Sequence, residues 1–187
     1  LIRAYQKDSS GNTVYAVESS YDEYGRAKSS NVVIDNKSME YVITYKTNTN
    51  LVSNVYMPEG DFLSAINYTY DNFDRLTVKD SSLSTLADIY EKYEYYTYTD
   101  ADGKTHTTPL ISKLTLENAH NYQTINSDVY EYTYNALEYI SSIKKNGTLV
   151  NSYEYDALGN LLKYQEYDDY SWDTYGYENV YEYGLAE

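Results

Sequence analysis

The chain contains no cysteine. Disulfide staples, thiolate metal sites and a cysteine nucleophile are therefore excluded together. Histidine occurs only as His106 and His120, and neither has a second histidine at metal-ligand spacing. The chain has 2 prolines, 2 phenylalanines and 1 tryptophan, and no apolar run long enough to span a bilayer as a helix. Lysine and arginine total 14 against 29 acidic residues, a formal charge of -15 at pH 7. Nucleic acid and anionic membranes are both gripped through Lys and Arg, so this balance argues against either as a partner, while the lack of a spanning apolar run leads to an expectation of no membrane insertion. The acidity reads as a solubilising surface.

What the chain has instead is tyrosine, 28 in 187 residues. Tyrosine favours strands, pairs well across them, and can bury its ring while its hydroxyl stays bonded or wet. The composition predicts thin, half-wet sheet layers, without a deep oily core. The tyrosines are not scattered. Tyr153-Glu154-Tyr155-Asp156-Ala157-Leu158-Gly159-Asn160-Leu161 is the cleanest copy of a recurring unit. Tyr21-Asp22-Glu23-Tyr24-Gly25-Arg26, Tyr68-Thr69-Tyr70-Asp71-Asn72-Phe73-Asp74-Arg75 and Tyr132-Thr133-Tyr134-Asn135-Ala136-Leu137-Glu138-Tyr139 are further copies. Weaker ones begin at Asp8, at Asp100 and near Lys46. A unit recurring along a chain signals one small structural element stacked on itself. The Asp or Asn that opens the turn can accept hydrogen bonds from the backbone just ahead, and where Gly stands three residues on, as Gly25 and Gly159 do, it supplies the positive φ that closes a bulged hairpin. In the Lys46 copy, Asn50 is expected to take the left-handed conformation.

The flanking segments alternate as strands do. Asn146-Gly147 between Ile140–Lys145 and Thr148–Val150 is a strong two-residue hairpin signal. Pro58 and Pro109 are expected in loops or at strand starts. The best helix window is Ser82–Tyr90, with Ser82 as the cap, for one or two turns. No shift in composition divides the chain, so residues 1–187 read as a single repeat array. The chain opens on Leu1 already in a strand pattern and closes at Tyr181-Glu182-Tyr183-Gly184, part-way into another copy. This reads as an excerpt of a longer protein, with any targeting signal elsewhere.

The pattern Tyr-x-Tyr-Asp-x-x-Gly-Asn/Arg-Leu resembles the YD repeat of the RHS-repeat family, which spans bacterial RHS proteins, toxin-complex C components and teneurins. The residues carrying the resemblance are Tyr21, Asp22, Gly25, Arg26, Tyr68, Tyr70, Asp71, Arg75, Tyr132, Tyr134, Asn135, Tyr153, Tyr155, Asp156, Gly159 and Asn160. Departures are Asp74 and Glu138 in place of Gly, and Asn135 in place of Asp. The resemblance implies an all-β fold of repeated antiparallel hairpins in a spiralling or curved sheet, an open segment of an RHS-type shell. It implies a secreted or cell-surface parent, with neighbouring repeats as the first partners. The Asp-Pro-x-Gly motif of the family's self-cleaving core does not occur here, since the two prolines lie in Met57-Pro58-Glu59-Gly60 and Thr108-Pro109-Leu110.

No constellation points to catalysis, a cofactor or a metal. Asp168-Asp169, Asp100/Asp102 and Glu154/Asp156 are carboxylate pairs of the kind glycoside hydrolysis uses, but 29 acids supply such pairs by chance. Asp100-x-Asp102-Gly103 starts like a calcium loop, yet the twelfth position, which should be Glu, is Ile111. Asn36, Asn67 and Asn146 head glycosylation-type triplets, and Asn146 is already explained by its turn. The one functional feature is the aromatic surface. Exposed rows of rings can stack on sugar or on a protein partner, and Trp172 with Tyr170, Tyr175 and Tyr177 is the candidate patch. Unpaired end strands near Leu1 and Tyr181 are expected to fray, to pair with another copy or to be covered by loops.

Overall fold

The computed structural model describes residues 2–35, 37–57, 64–83, 87–121, 123–167 and 176–180. These form fourteen strands: β1 Ile2–Lys7, β2 Thr13–Tyr21, β3 Ala27–Ile34, β4 Lys37–Tyr45, β5 Val52–Met57, β6 Ser64–Tyr70, β7 Leu76–Leu83, β8 Ala87–Thr99, β9 Thr105–His120, β10 Gln123–Tyr134, β11 Ile140–Lys145, β12 Thr148–Tyr155, β13 Leu161–Tyr167 and β14 Gly176–Val180. They are hydrogen-bonded in strict sequence order, an open sheet with no crossover. The all-β hairpin architecture read from the sequence is the one observed.

The chain divides into two compact units, Leu1–Glu91 with Glu117–Asn126, and Lys92–Leu116 with Ser127–Glu187. The divisions fall inside β8, β9 and β10 rather than in a linker. A boundary that cuts across strands leaves no Pro/Gly-rich or charged stretch for a sequence to display.

In the first unit the register sorts side chains by face, because residues directly opposite in a ladder point the same way. Ile43, Val55 and Ile66 sit opposite one another across β4, β5 and β6. One residue along, Thr44, Asn54, Asn67 and Asp80 form a row on the other face. There Asn54 Nδ2 donates to Asn67 Oδ1 at 2.6 Å and Asn67 Nδ2 reaches Asp80 Oδ2 at 3.5 Å. An antiparallel sheet with one apolar and one polar face needs no second layer on the polar side. Among the described residues only Ala16 and Ala119 are fully buried hydrophobics. The thin-layer expectation holds: rings here are half-covered by neighbouring rings and strands.

Two local expectations are overturned. The helix window does not form a helix: Ser82 and Leu83 end β7, Ala87–Tyr90 begin β8, and residues 84–86 lie outside the described set. Pairing with neighbouring strands outweighs the modest helix propensity of a few Leu and Ala residues. Pro109 lies five residues into β9 rather than at its start. The Thr108 hydroxyl accommodates it, donating to the Tyr96 carbonyl at 3.2 Å and accepting the Leu110 N–H at 3.2 Å. A side chain thus bridges the gap in hydrogen bonding around a residue with no N–H.

Candidate functional site

The feature that recurs is a five-residue turn, and it is built the same way each time. In the turn at Asp22, the Asp22 N–H donates to the Arg26 carbonyl at 2.9 Å and the Gly25 N–H to the Asp22 carbonyl at 3.1 Å. The turns at Asp8, Asp71, Asp100, Asn135 and Asp156 repeat both bonds at 2.9–3.1 Å. The first side chain then caps the loop. Asp22 Oδ1 accepts the N–H groups of Tyr24 and Arg26, both at 2.9 Å, and Asp156 Oδ1 those of Leu158 and Asn160, both at 2.8 Å. Asn135 does the same with its amide oxygen, at 2.9 and 3.0 Å. This explains why Asn substitutes for Asp.

The fifth position explains the rest of the motif. Its side chain donates to the second carboxylate oxygen: Arg26 Nε to Asp22 and Arg75 Nε to Asp71, each at 2.7 Å, and Asn160 Nδ2 to Asp156 at 2.7 Å. At Asp100 the donor is not Lys104 but His106, whose Nε2 lies 2.6 Å from Oδ2 while its ring stacks on Tyr98. The two oxygens of Asp100 are thereby engaged in holding a hairpin, as are those of Asp156. His106 has a structural contact that a five-residue motif does not reveal.

Left-handed residues fall at the fourth position, Gly25 and Gly159 among them, with φ of 77° and 86°. Asp74 and Glu138 adopt it without being glycine, at 61° and 64°. In the Lys46 turn the expectation for Asn50 is wrong: Asn48 is left-handed, with φ of 60°. That turn is one residue longer, closing from Lys46 N–H to the Leu51 carbonyl at 2.8 Å. The Thr49 hydroxyl replaces the aspartate cap, accepting Leu51 N–H at 3.1 Å, so the bend moves toward Asn48.

Because the strands run up and down in sequence order, alternate connections share one end of the sheet. In the first unit the turns at Asp22, Lys46 and Asp71 lie in line on one rim. In the second unit those at Asp100, Asn135 and Asp156 do. Neighbouring rim turns are two strands, roughly 9–10 Å, apart. They are tied to one another. Arg26 Nη1 donates to the Thr49 carbonyl, and Lys46 pairs with Asp74 at 2.6 Å. The tyrosine just ahead of a turn reaches back to the previous hairpin. Tyr45 Oη donates to the Ala27 carbonyl at 2.7 Å, Tyr70 to Val52 at 2.8 Å, and Tyr134 to Ile111 at 2.7 Å. Burial raises the Tyr70 and Tyr134 phenols above their ordinary value.

The third residue of a turn points outward. Tyr24 is 74% exposed, Phe73 69% and Leu158 86%. The two aromatic tips occur where the fifth residue is arginine, with the guanidinium of Arg26 5.0 Å from the Tyr24 ring centre and that of Arg75 5.4 Å from Phe73. They lie over the cation that secures the cap. Tyr24, Arg26, Asn48, Thr49 and Asn50 line an open hollow of about 360 Å³ between two rim turns.

Of the residues expected to make a ligand surface, Trp172, Tyr170 and Tyr175 lie outside the described residues. Tyr177 is paired through its backbone with Glu166 in β14. Leu1 and Tyr181 also lie outside them, as does Asn36. The side chain of Asn67 is engaged with Asn54 and Asp80. Asn146 docks on β10, accepting Val129 N–H at 2.8 Å and donating to Asp128 at 3.0 Å.

No protein-family model and no curated protein matches this chain.

The caps make acid sensitivity a direct prediction. Hydrogen bonds from Asn160, side chain first and then backbone, hold the Asp156 carboxyl below its ordinary 3.8. At Asp100 His106 does so first, and then the Lys104 N–H. A carboxyl depressed in the fold contributes stability that is complete above 3.8 and lost as pH falls through its lower folded value. Wild-type stability is therefore expected to fall below about pH 4. Asp156→Asn retains an oxygen acceptor, as Asn135 shows, but removes the titration. Urea unfolding at stepped pH should give this variant a lower neutral stability and a shallower acid limb. Parallel acid limbs would show that Asp156 carries no such linkage.

Proposed function

We propose that this chain is a structural repeat segment, serving as shell wall, stalk or scaffold in a large bacterial secreted or cell-surface protein, without catalysis of its own. The observation that carries this reading is where the motif's polar groups go. The carboxylates of Asp22, Asp71 and Asp156 accept from their own turn, and the hydroxyls of Tyr45, Tyr70 and Tyr134 close on the preceding hairpin. Each unit thus stabilises itself and its neighbour, which is the economy of a stacked array. The motif's resemblance to YD repeats supports an extracellular setting and neighbouring repeats as partners, with end strands able to pair with another copy.

A second reading is a glycan- or protein-binding module. It is favoured by the exposed Tyr24 ring at the mouth of a hollow lined by Asn48, Thr49 and Asn50. An aromatic ring can stack on the apolar face of a sugar while amides and hydroxyls meet its hydroxyl groups. A glycan array probed with the intact chain separates the two. The scaffold reading expects no binding, and a lowered unfolding midpoint in Asp22→Ala. Binding that disappears in Tyr24→Ala would replace it with the recognition reading.

A further inference from the structure

A chain without cysteine cannot cross-link through disulfides, but it holds tyrosine rings in contact. In the second unit, the rings of Tyr139 and Tyr155 have centres 5.1 Å apart and are inclined by 34°. Tyr139 is 42% exposed. Its ring lies against Gly159, where a Cβ would come within 2.6 Å of the Tyr139 Oη and 2.7 Å of Cε2. The absent side chain of Gly159 is the space that seats Tyr139 beside Tyr155. Burial raises the Tyr155 phenol above its ordinary value.

We propose that Tyr139 and Tyr155 form an oxidative cross-linking site, a pair arranged to become dityrosine under a peroxidase-type one-electron oxidant supplied with hydrogen peroxide. Each phenol loses one electron and its hydroxyl proton. The two phenoxyl radicals join through the ring carbons ortho to oxygen. Each joined carbon then passes its hydrogen to its own oxygen, restoring both aromatic rings. The two electrons and two protons convert one hydrogen peroxide to two waters. Of the pair, Tyr139 is the ring more open to an oxidant, and its partner is already at contact distance, so the strands need not separate.

Two other tyrosine pairs among the described residues of this unit are less suited. Tyr96 and Tyr134 meet edge-on, at 86°, and the Tyr134 hydroxyl is held by the Ile111 carbonyl. Tyr153 and Tyr164 are 5.3 Å apart, but the Tyr164 hydroxyl accepts from Asn151 at 2.9 Å and donates to Glu166 at 3.1 Å, which restrains the slide that coupling requires. The bond between Tyr139 and Tyr155 would join two neighbouring rim turns covalently, as a disulfide does in many extracellular proteins.

The test treats dilute chain with a peroxidase and equimolar hydrogen peroxide. Intact mass, dityrosine fluorescence and peptide mapping are the readouts. The expected product is a monomer lighter by two hydrogens, with the peptides carrying Tyr139 and Tyr155 joined and a raised unfolding midpoint. Tyr139→Phe and Tyr155→Phe should each remain folded by circular dichroism and lose that product, because phenylalanine forms no phenoxyl radical. A cross-link mapped elsewhere, only intermolecular products, or an unchanged yield in folded Tyr139→Phe would overturn the proposal.

Discussion

Gly159→Ala is expected to destabilise the second unit by about 2 kcal/mol, more than Gly25→Ala costs the first. Both glycines are left-handed, and a Cβ there costs about 1–2 kcal/mol. At Gly25 nothing lies near the added atom, so the effect is strain less the entropy that alanine removes from the unfolded chain, about 0.4–1 kcal/mol. At Gly159 the Cβ meets the hydroxyl end of Tyr139. That end is free to swing outward, so the added cost is the lost contact with Tyr155, about 0.5–1.5 kcal/mol. Urea unfolding of Gly159→Ala, Tyr139→Ala and the double variant separates the two contributions, since only the contact is shared. Full additivity would show that Tyr139 does not depend on Gly159. The reverse change should also register. Glu138 occupies the same left-handed position with a side chain, and Glu138→Gly is expected to stabilise by up to about 1 kcal/mol after glycine's entropy cost.

Tyr134→Phe is expected to cost about 1 kcal/mol, and Tyr134→Ala about 3. The phenylalanine variant keeps the ring against Tyr96 and removes only the hydrogen bond to the Ile111 carbonyl. Such a bond contributes roughly 0.5–1.5 kcal/mol net, more where the acceptor is left unpaired. Alanine also removes the ring, and deleting a large aromatic from a packed site costs about 3–5 kcal/mol, with the lower end appropriate to a half-buried position. Equal losses in the two variants would assign the whole effect to the hydroxyl. No loss in Tyr134→Phe would show that the bond between hairpins adds nothing to stability.

Legibility in the sequence followed the distance over which each contact is encoded. The turn at Asp156 could be read because its cap, its left-handed glycine and its second donor all lie within Asp156–Asn160. The same five-residue logic extended to Asn135, whose amide oxygen does the work of a carboxylate. It failed at the Lys46 turn, where one extra residue and a threonine hydroxyl moved the bend from Asn50 to Asn48. It also failed at His106, which lies beyond the motif and replaces Lys104 as the donor to Asp100. The window from Ser82 to Tyr90 carried a weak local preference for helix, and strand pairing overrode it. The Thr108 hydroxyl bridging the hydrogen-bond gap around Pro109 has no sequence pattern at all, because its acceptor on Tyr96 comes from another strand.

The sequence by itself determined that this is an all-β hairpin array, where most of its turns fall, and which of them close on Gly25 and Gly159. Those features rest on backbone bonds and φ preferences confined to a few adjacent residues. Tertiary structure alone decided which carbonyl each tyrosine grips, that Arg26 and Lys46 tie one turn to the next, and that Tyr139 rests in the space left by Gly159. The Tyr45 and Tyr70 bonds span 18 residues and the Tyr134 bond 23. Their geometry depends on the register of whole strands, where a slip of one residue would carry every side chain to the opposite face.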